Sequence, residues 1–176
     1  MRRRRCTIDS SCVIALDHLG LVPKLSFLFS RVLVPKAVRE DLFKRRETKD
    51  RLQRSFDDFA FFERCDEYDR GTVEFLLAER ARGGHKDRGE TEAIIQAVQE
   101  GAMVIVDDPW GRQLARRYGC PCHGTIWVLQ QLFELKLLSA SDLRNGFSRL
   151  RERGTRLPWD DVNELLRKLG EDPLLG

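Results

Sequence analysis

The sequence predicts an α/β protein with a central parallel sheet covered by helices on both faces. Short apolar segments alternate with helical segments along most of the chain, and residues 103–106 are continuously apolar. Parallel strands need a helical return connection, so this alternation favours a parallel sheet. A strand that is apolar throughout is typical of the buried centre of such a sheet. The 176 residues, 41% of them hydrophobic, are enough for one compact domain.

The predicted elements begin and end at glycine, proline or an acidic residue. Asp9 ends the first strand, Gly20 ends the helix after it, and Pro35 begins a charged helix, because proline at a first helical position loses no hydrogen bond. The predicted strands are residues 5–9, 31–34, 59–62 and 103–106. The predicted helices are residues 11–19, 35–57, 70–82 and 89–100, followed after Gly124 by helices alone at 125–136, 140–152 and 159–169.

The change to helices alone predicts two parts: an α/β domain over residues 1–150 and a C-terminal helical extension over 151–176. The extension is amphipathic, with Val162, Leu165, Leu166 and Leu169 on one face. Packing against the domain is the default interpretation of that face. A surface for a second copy or a protein partner is the alternative.

Composition excludes some classes of protein. No apolar run approaches the ~20 residues of a membrane span, and the arginines that open the chain lead to Asp9 rather than to an apolar stretch, so we expect a cytoplasmic protein without a membrane partner. Five cysteines without regular spacing argue against a disulfide framework. The net charge of +3 is too small by itself to indicate a nucleic-acid partner.

Carboxylates follow the predicted strands at one edge of the sheet. Asp9 ends the first strand, and Asp107 and Asp108 follow the continuously apolar strand at 103–106. Glu90 extends the apolar stripe of the helix at 89–100, which comes before that strand. Ligands of parallel α/β sheets bind at the carboxyl ends of strands. Carboxylates gathered there repel each other unless a cation lies between them, and oxygen ligands suit Mg²⁺ or Mn²⁺. Such an ion can activate water against a phosphodiester.

Each acid also has a purely structural explanation. Asp9 could cap a helix, Glu90 could interact with a helix dipole, and Asp107 with Asp108 could form a turn. Other phosphate chemistries fit less well, because the acidic pair comes too late for a receiver domain and the first strand lacks the Asp-x-Asp of a dehalogenase-type phosphatase. The three histidines are scattered along the chain.

The ordered set of motifs resembles the PIN-domain family, and within it the branch of VapC toxins, over about residues 5–150. The motifs are Ile8-Asp9-Ser10-Ser11, Val34-Pro35 with Glu40, Gly89-Glu90-Thr91-Glu92-Ala93-Ile94, Val106-Asp107-Asp108, Arg112 with Ala115, and Gly124-Thr125. The resemblance implies a three-layer α/β/α fold with a central parallel sheet.

The resemblance also implies site residues and a function. It implies catalytic acids at Asp9, Glu40, Glu90 and Asp108, metal ligands at Asp9, Glu90 and Asp108 with Asp107 competing for the last position, and support from Ser11 and Thr125. It implies a Mg²⁺- or Mn²⁺-dependent endoribonuclease acting on single-stranded RNA, often a homodimer, with a toxin role and an antitoxin partner as one biological setting. An inactive PIN-like binding or scaffold module is the alternative.

Basic residues must attract RNA to so acidic a site. Arg112 and Arg116 lie one helical turn apart after Asp108 and are the candidates for this RNA-binding rim. A solvated helix face is the alternative interpretation of these two arginines.

Overall fold

The computed structural model describes residues 4–44, 46–81 and 87–174, without the side chains of residues 46–48 and 81. Strands and helices alternate along these residues. The strands are β1 (Arg4–Ile8), β2 (Phe29–Pro35), β3 (Phe62–Cys65), β4 (Met103–Ile105) and β5 (Cys122–His123). The helices are α1 (Ser10–His18), α2 (Leu25–Leu28), α3 (Lys36–Lys44), α4 (Arg46–Asp58), α5 (Arg70–Ala81), α6 (Arg88–Glu100), α7 (Pro109–Arg117), α8 (Thr125–Glu134), α9 (Ala140–Glu152) and α10 (Trp159–Lys168).

The five strands form one parallel sheet in the order β3-β2-β1-β4-β5, flanked by helices in a three-layer α/β/α arrangement. The predicted fold class is confirmed. The chain adds β2 and β3 on one side of β1 and then returns to add β4 and β5 on the other. The direction therefore reverses between β1 and β4, and the loops that follow these two strands lie next to each other. The backbone N–H of Asp9 donates to the carbonyl of Ile105, 2.9 Å away, and fixes this junction.

Helix α6 is buried along most of its length, from Gly89 to Ala97. It contacts the sheet, α3, α5 and α7, so it has no solvated face over these residues. Asp87 caps its first turn and Gly101, in the left-handed conformation at φ 57°, ends it. This burial takes the acidic residues of its first two turns into the interior.

The structure differs from the sequence-based elements at several places, one of which is the short helix α2, absent from the predicted helices. The charged helix predicted over 35–57 is two helices, α3 and α4. The third strand lies three residues later than predicted, because Phe59 and Phe61 stack on each other before the strand begins. The two-residue strand β5 was not predicted, since a segment that short has no detectable periodicity. Gly83 and Gly84, which follow the helix predicted over 70–82, lie outside the described residues.

The C-terminal helices pack on the domain. Val162 and Leu166 of α10 are fully buried, and α10 contacts α9, whose Phe147 is also fully buried. Core packing, the default interpretation of the amphipathic extension, therefore accounts for these two residues. Within the described residues no single helix is long and apolar enough to span a membrane, and the one pair that qualifies together, α1 with residues 22–28, is bent by 113°.

Candidate active site

Asp9 links the end of β1 to the start of α1. It is the N-cap of α1 and is only 6% exposed. Its Oδ2 accepts hydrogen bonds from the Ser11 backbone N–H at 3.1 Å and the Ser11 hydroxyl at 2.5 Å. Its Oδ1 is buried and has no hydrogen-bond partner among the described residues. Burial raises the pKa of Asp9 to about 6, although the Ser11 hydrogen bonds oppose this.

Glu90 lies in the first turn of α6 and is 1% exposed. Its Oε2 accepts a hydrogen bond from Arg80 Nη1 at 2.7 Å, and its buried Oε1 has no partner in the described part of the chain. Burial raises the pKa of Glu90 to about 8. The Arg80 hydrogen bond lowers this pKa, and the charges of Asp108 and Asp9 raise it further. Three of the predicted acids therefore act on one another within one site.

Arg80, near the end of α5, is the cation of this site and was not identified from the sequence. Its side chain is 7% exposed, pairs with Glu90 and lies 3.9 Å from Asp108 Oδ1. Its guanidinium also stacks on Trp110, 3.9 Å from the ring centroid. No sequence signal distinguishes this arginine, because the chain has 31 lysines and arginines and nothing local shows which of them the fold buries.

Asp108 caps α7. Its Oδ1 accepts the backbone N–H groups of Trp110 at 2.9 Å and Gly111 at 3.2 Å, and its side chain is 48% exposed. Gly111 is a second residue that sequence reasoning missed. A Cβ at this position would lie 2.0 Å from Glu90 Oε1, so only glycine leaves room for that carboxylate. The position of a glycine in the first turn of a helix after the acidic pair is the signal that could have found it.

Asp107 has a different environment from Asp108. Its Oδ1 accepts the Thr125 backbone N–H at 2.9 Å, and its Oδ2 accepts the Thr125 hydroxyl at 2.6 Å and the Cys12 thiol at 3.3 Å. Arg112 Nη2 lies 3.6 Å from Oδ1, and a Cβ at Gly124 would come within 2.3 Å of both groups. Asp107 thus joins β4 to α1 and α8. Of the two consecutive acids, Asp107 is the one whose oxygens are both engaged.

The two supporting residues hold different acids. Ser11 orients Asp9, as the resemblance implies, whereas Thr125 binds Asp107 rather than Asp9. Arg112 is 34% exposed and faces Asp107, while Arg116 is exposed in the last turn of α7. Only part of the predicted basic rim is therefore free to meet a ligand.

The structure does not bring Glu40 into contact with the other acids. Its side chain is 55% exposed and pairs with Lys36 at 3.8 Å, and no described contact joins it to Asp9 or Glu90. Its neighbourhood agrees with the helical pattern of α3, which buries Val38 and Leu42 and leaves residue 40 outside. The other acid taken into the interior is Glu92 of α6, which lies off the apolar stripe that Glu90 extends.

Glu92 has a structural role. It is 2% exposed, accepts the backbone N–H of Ala37 at 3.0 Å and the Tyr68 hydroxyl at 2.5 Å, and so fixes the start of α3 against α6. Burial and then the Glu92 carboxylate raise the pKa of Tyr68 to about 12. The apolar stripe of α6 did not predict the burial of Glu92, because α6 is buried on all sides.

The donor chemistry of the site fits a hard divalent cation. Asp9 Oδ1 and Glu90 Oε1 are buried carboxylate oxygens without partners, and such oxygens are the ligands of Mg²⁺ and Mn²⁺. Among the described residues, however, no three His, Cys, Asp or Glu side chains form a ready metal-binding group. Arg80 takes one oxygen of Glu90, so the ion would be held by the remaining oxygens of Asp9, Glu90 and Asp108.

Neither of the two histidines that the structure describes reaches this site. His123 stacks on Trp127, with ring centroids 4.1 Å apart, and burial lowers its pKa. His18 lies at the opposite end of α1 from Asp9. His85 lies outside the described residues.

These features define a class: a parallel α/β protein whose buried carboxylates lie where the strand order reverses, which is where such sheets bind ligands. The family model of the PIN domain matches residues 5–171, and the chain belongs to the PIN-domain family. PIN domains are generally nucleases and generally use divalent metal ions. No curated protein matches the chain.

Proposed function

We propose that this PIN-domain protein is a metal-dependent endoribonuclease that hydrolyses phosphodiester bonds of single-stranded RNA. The observation that carries the proposal is the pair of unpartnered, buried oxygens, Asp9 Oδ1 and Glu90 Oε1. Burying carboxylates without hydrogen bonds is costly, and proteins retain such groups chiefly at functional sites. The nuclease character of the family supports the same conclusion.

The residues of the chain have distinct roles in this proposal. Asp9, Glu90 and Asp108 would hold Mg²⁺ or Mn²⁺, which when bound supplies an activated water and neutralises phosphate charge. Ser11 orients Asp9, and the cap of α7 orients Asp108. Because the substrate phosphate must reach a recessed pocket, a splayed single strand fits better than a duplex.

Attraction of the RNA falls to the exposed cations of α7. Arg116 is free of the acidic cluster and is the residue that we expect to contact the RNA backbone. Arg112 is already paired with Asp107, so we expect it to contribute less. The finer assignments from the resemblance also belong to the proposal: a VapC-like toxin role, an antitoxin partner and a homodimer.

Cleavage of an end-labelled single-stranded RNA tests the proposal. The wild-type protein is expected to cut the RNA with Mn²⁺ and to stop in excess EDTA, and Asp9→Asn and Glu90→Gln are expected to lose cleavage. Asp17→Asn is the matched control, because Asp17 is also a buried aspartate, but it lies in the last turn of α1, at the far end from Asp9, and pairs with Arg51. Activity that survives Asp9→Asn or EDTA would contradict the proposal.

One observation favours the alternative of an inactive binding module. Arg80 neutralises Glu90 within the protein itself, as expected for a site that does not need a metal ion. The same experiment separates the two functions, since an inactive module would bind RNA without cutting it under any metal condition.

A further inference from the structure

A groove between α5 and α7 opens beside the acidic site and has no role in the proposed chemistry. Its volume is about 290 Å³. We refer to it as the α5–α7 groove. Besides Arg80, it is lined by Leu76, Glu79, Trp110, Gln113, Leu114 and Arg117.

The groove is directly connected to the acidic site. Arg80 lines it and also pairs with Glu90. Trp110, its aromatic wall, donates its backbone N–H to Asp108 Oδ1 at 2.9 Å. A group bound in the α5–α7 groove would therefore lie next to a phosphate bound at the acids. A larger hollow, of about 470 Å³, lies at the far end of α1 near Asp17 and lacks this connection.

The chemistry of the walls suits a flat ring with a polar edge. Leu76 and Leu114 are buried and form an apolar floor. Trp110 is half-buried, and the Arg80 guanidinium covers one face of its indole, so a further ring would stack on the other face. Held aromatic rings are surfaces on which nucleobases stack, whichever base is present.

The rim of the groove supplies hydrogen-bonding groups without a free charge. Glu79 and Arg117 pair across it at 3.2 Å, and the exposed Gln113 also lines it. Arg80 is occupied by Glu90. With its cations paired, the groove offers little to a phosphate, whereas an amide, a carboxylate and a guanidinium can all bond to the edge of a base.

We propose that the α5–α7 groove binds one nucleobase of the single-stranded RNA substrate, with the Trp110 indole as its stacking surface. The inference rests on the proposed function for the identity of the substrate. In this proposal Trp110 is a binding residue beside the acids, and the groove holds the nucleotide next to the bond that is cut.

The inference is tested by a thermodynamic cycle in which Trp110 is substituted in the protein and the bases are removed from the RNA, separately and together. The ligands are a short oligouridylate and an oligomer of equal length whose riboses lack bases, and dissociation constants are measured by fluorescence anisotropy. The Asp9→Asn background prevents cleavage. We expect the intact oligomer to bind about tenfold more tightly than the base-free one, a typical effect of stacking a base. Trp110→Ala is expected to abolish most of that difference, and Trp110→Phe to retain it.

Trp159→Ala is the matched control, because Trp159 also lies under an arginine, Arg151, but on α10. It is expected to keep the full tenfold preference. A stacking role also predicts that oligouridylate quenches the fluorescence of the Asp9→Asn protein and not that of the same protein carrying Trp110→Phe. If Trp110→Ala does not fold, Trp110→Leu takes its place, with the same expected loss.

The outcomes separate the inference from the proposed function. An undiminished preference for intact RNA in the Trp110 variants would overturn the inference, even if cleavage that depends on Asp9 persists. Failure of the wild-type protein to cleave RNA, together with a base preference that depends on Trp110, would overturn only the proposed function.

Discussion

Replacing Asp9 by asparagine tests whether the buried carboxylate is held at a cost to folding. Asparagine keeps the shape, the oxygen that accepts from Ser11 and the ability to cap α1, since Asn and Asp are equally good N-caps. What it removes is the charge. The pKa of Asp9 is raised from 3.8 to about 6 by burial, a difference of roughly two units, and this corresponds to about 3 kcal/mol of unfavourable charge burial.

The sign of the pH dependence follows from the direction of the shift. The folded state binds a proton at Asp9 more tightly than the unfolded state, so the wild-type protein loses stability as pH rises from about 4 to about 6. Asp9→Asn has no such group. The stability of the variant relative to wild type should therefore be lowest below about pH 4, rise by about 3 kcal/mol up to about pH 6 and remain constant above it.

The new amide N–H group offsets part of the gain, because an unpaired buried donor costs about 1–3 kcal/mol. We therefore expect a net stabilisation of up to about 2 kcal/mol at pH 7, which is up to several degrees in the melting temperature of a chain of this size measured without metal. Mn²⁺ should raise the melting temperature of the wild-type protein and not that of the variant.

Asp17→Asn is the control for this comparison. Asp17 is equally buried, but its charge is paired with Arg51, so its removal should lower the melting temperature at pH 7. A variant Asp9→Asn that is less stable than wild type at pH 7, or whose advantage does not change between pH 4 and 6, would refute the reasoning.

Two further substitutions test the geometry around the acids. Gly111→Ala places a methyl group 2.0 Å from Glu90 Oε1 and should destabilise the fold by about 1–3 kcal/mol and weaken the Mn²⁺-induced rise in melting temperature, whereas Gly146→Ala, whose Cβ meets only a leucine side chain at 3.5 Å, should be neutral or stabilising. Equal effects of the two substitutions would contradict the packing of the carboxylate. Glu40→Gln should leave both the melting temperature and the Mn²⁺-induced rise unchanged, and a loss of that rise would show that α3 moves Glu40 into the site.

The acids at the edge of the sheet could be predicted because the signals for them are local in the sequence. Asp9 follows an apolar strand directly, Asp108 follows the most apolar one, and parallel topology brings such strand ends together. Glu90 was found because its position continues an apolar helical stripe. These inferences needed only periodicity and the general rule for where parallel sheets bind ligands.

What the sequence did not reveal depends on contacts between distant segments. Arg80 reaches Glu90 from another helix, and Glu92 is buried because α3 and Tyr68 close over it. The separate roles of Asp107 and Asp108 depend on Thr125, which arrives from α8. None of these contacts can be detected in the hydrophobic pattern of the segments that it joins.

Analysis of the RNA ends left by the wild-type protein is the most direct test of the central claim that metal-dependent hydrolysis takes place at Asp9 and Glu90. When an external water attacks the phosphorus and the P–O3′ bond breaks, the 3′ oxygen leaves as a hydroxyl and the cut carries a 5′-phosphate and a 3′-hydroxyl. We predict these ends, formed with Mn²⁺ and absent in the Asp9→Asn variant. Ends with a 2′,3′-cyclic phosphate would mean that the ribose hydroxyl is the nucleophile and would contradict the account.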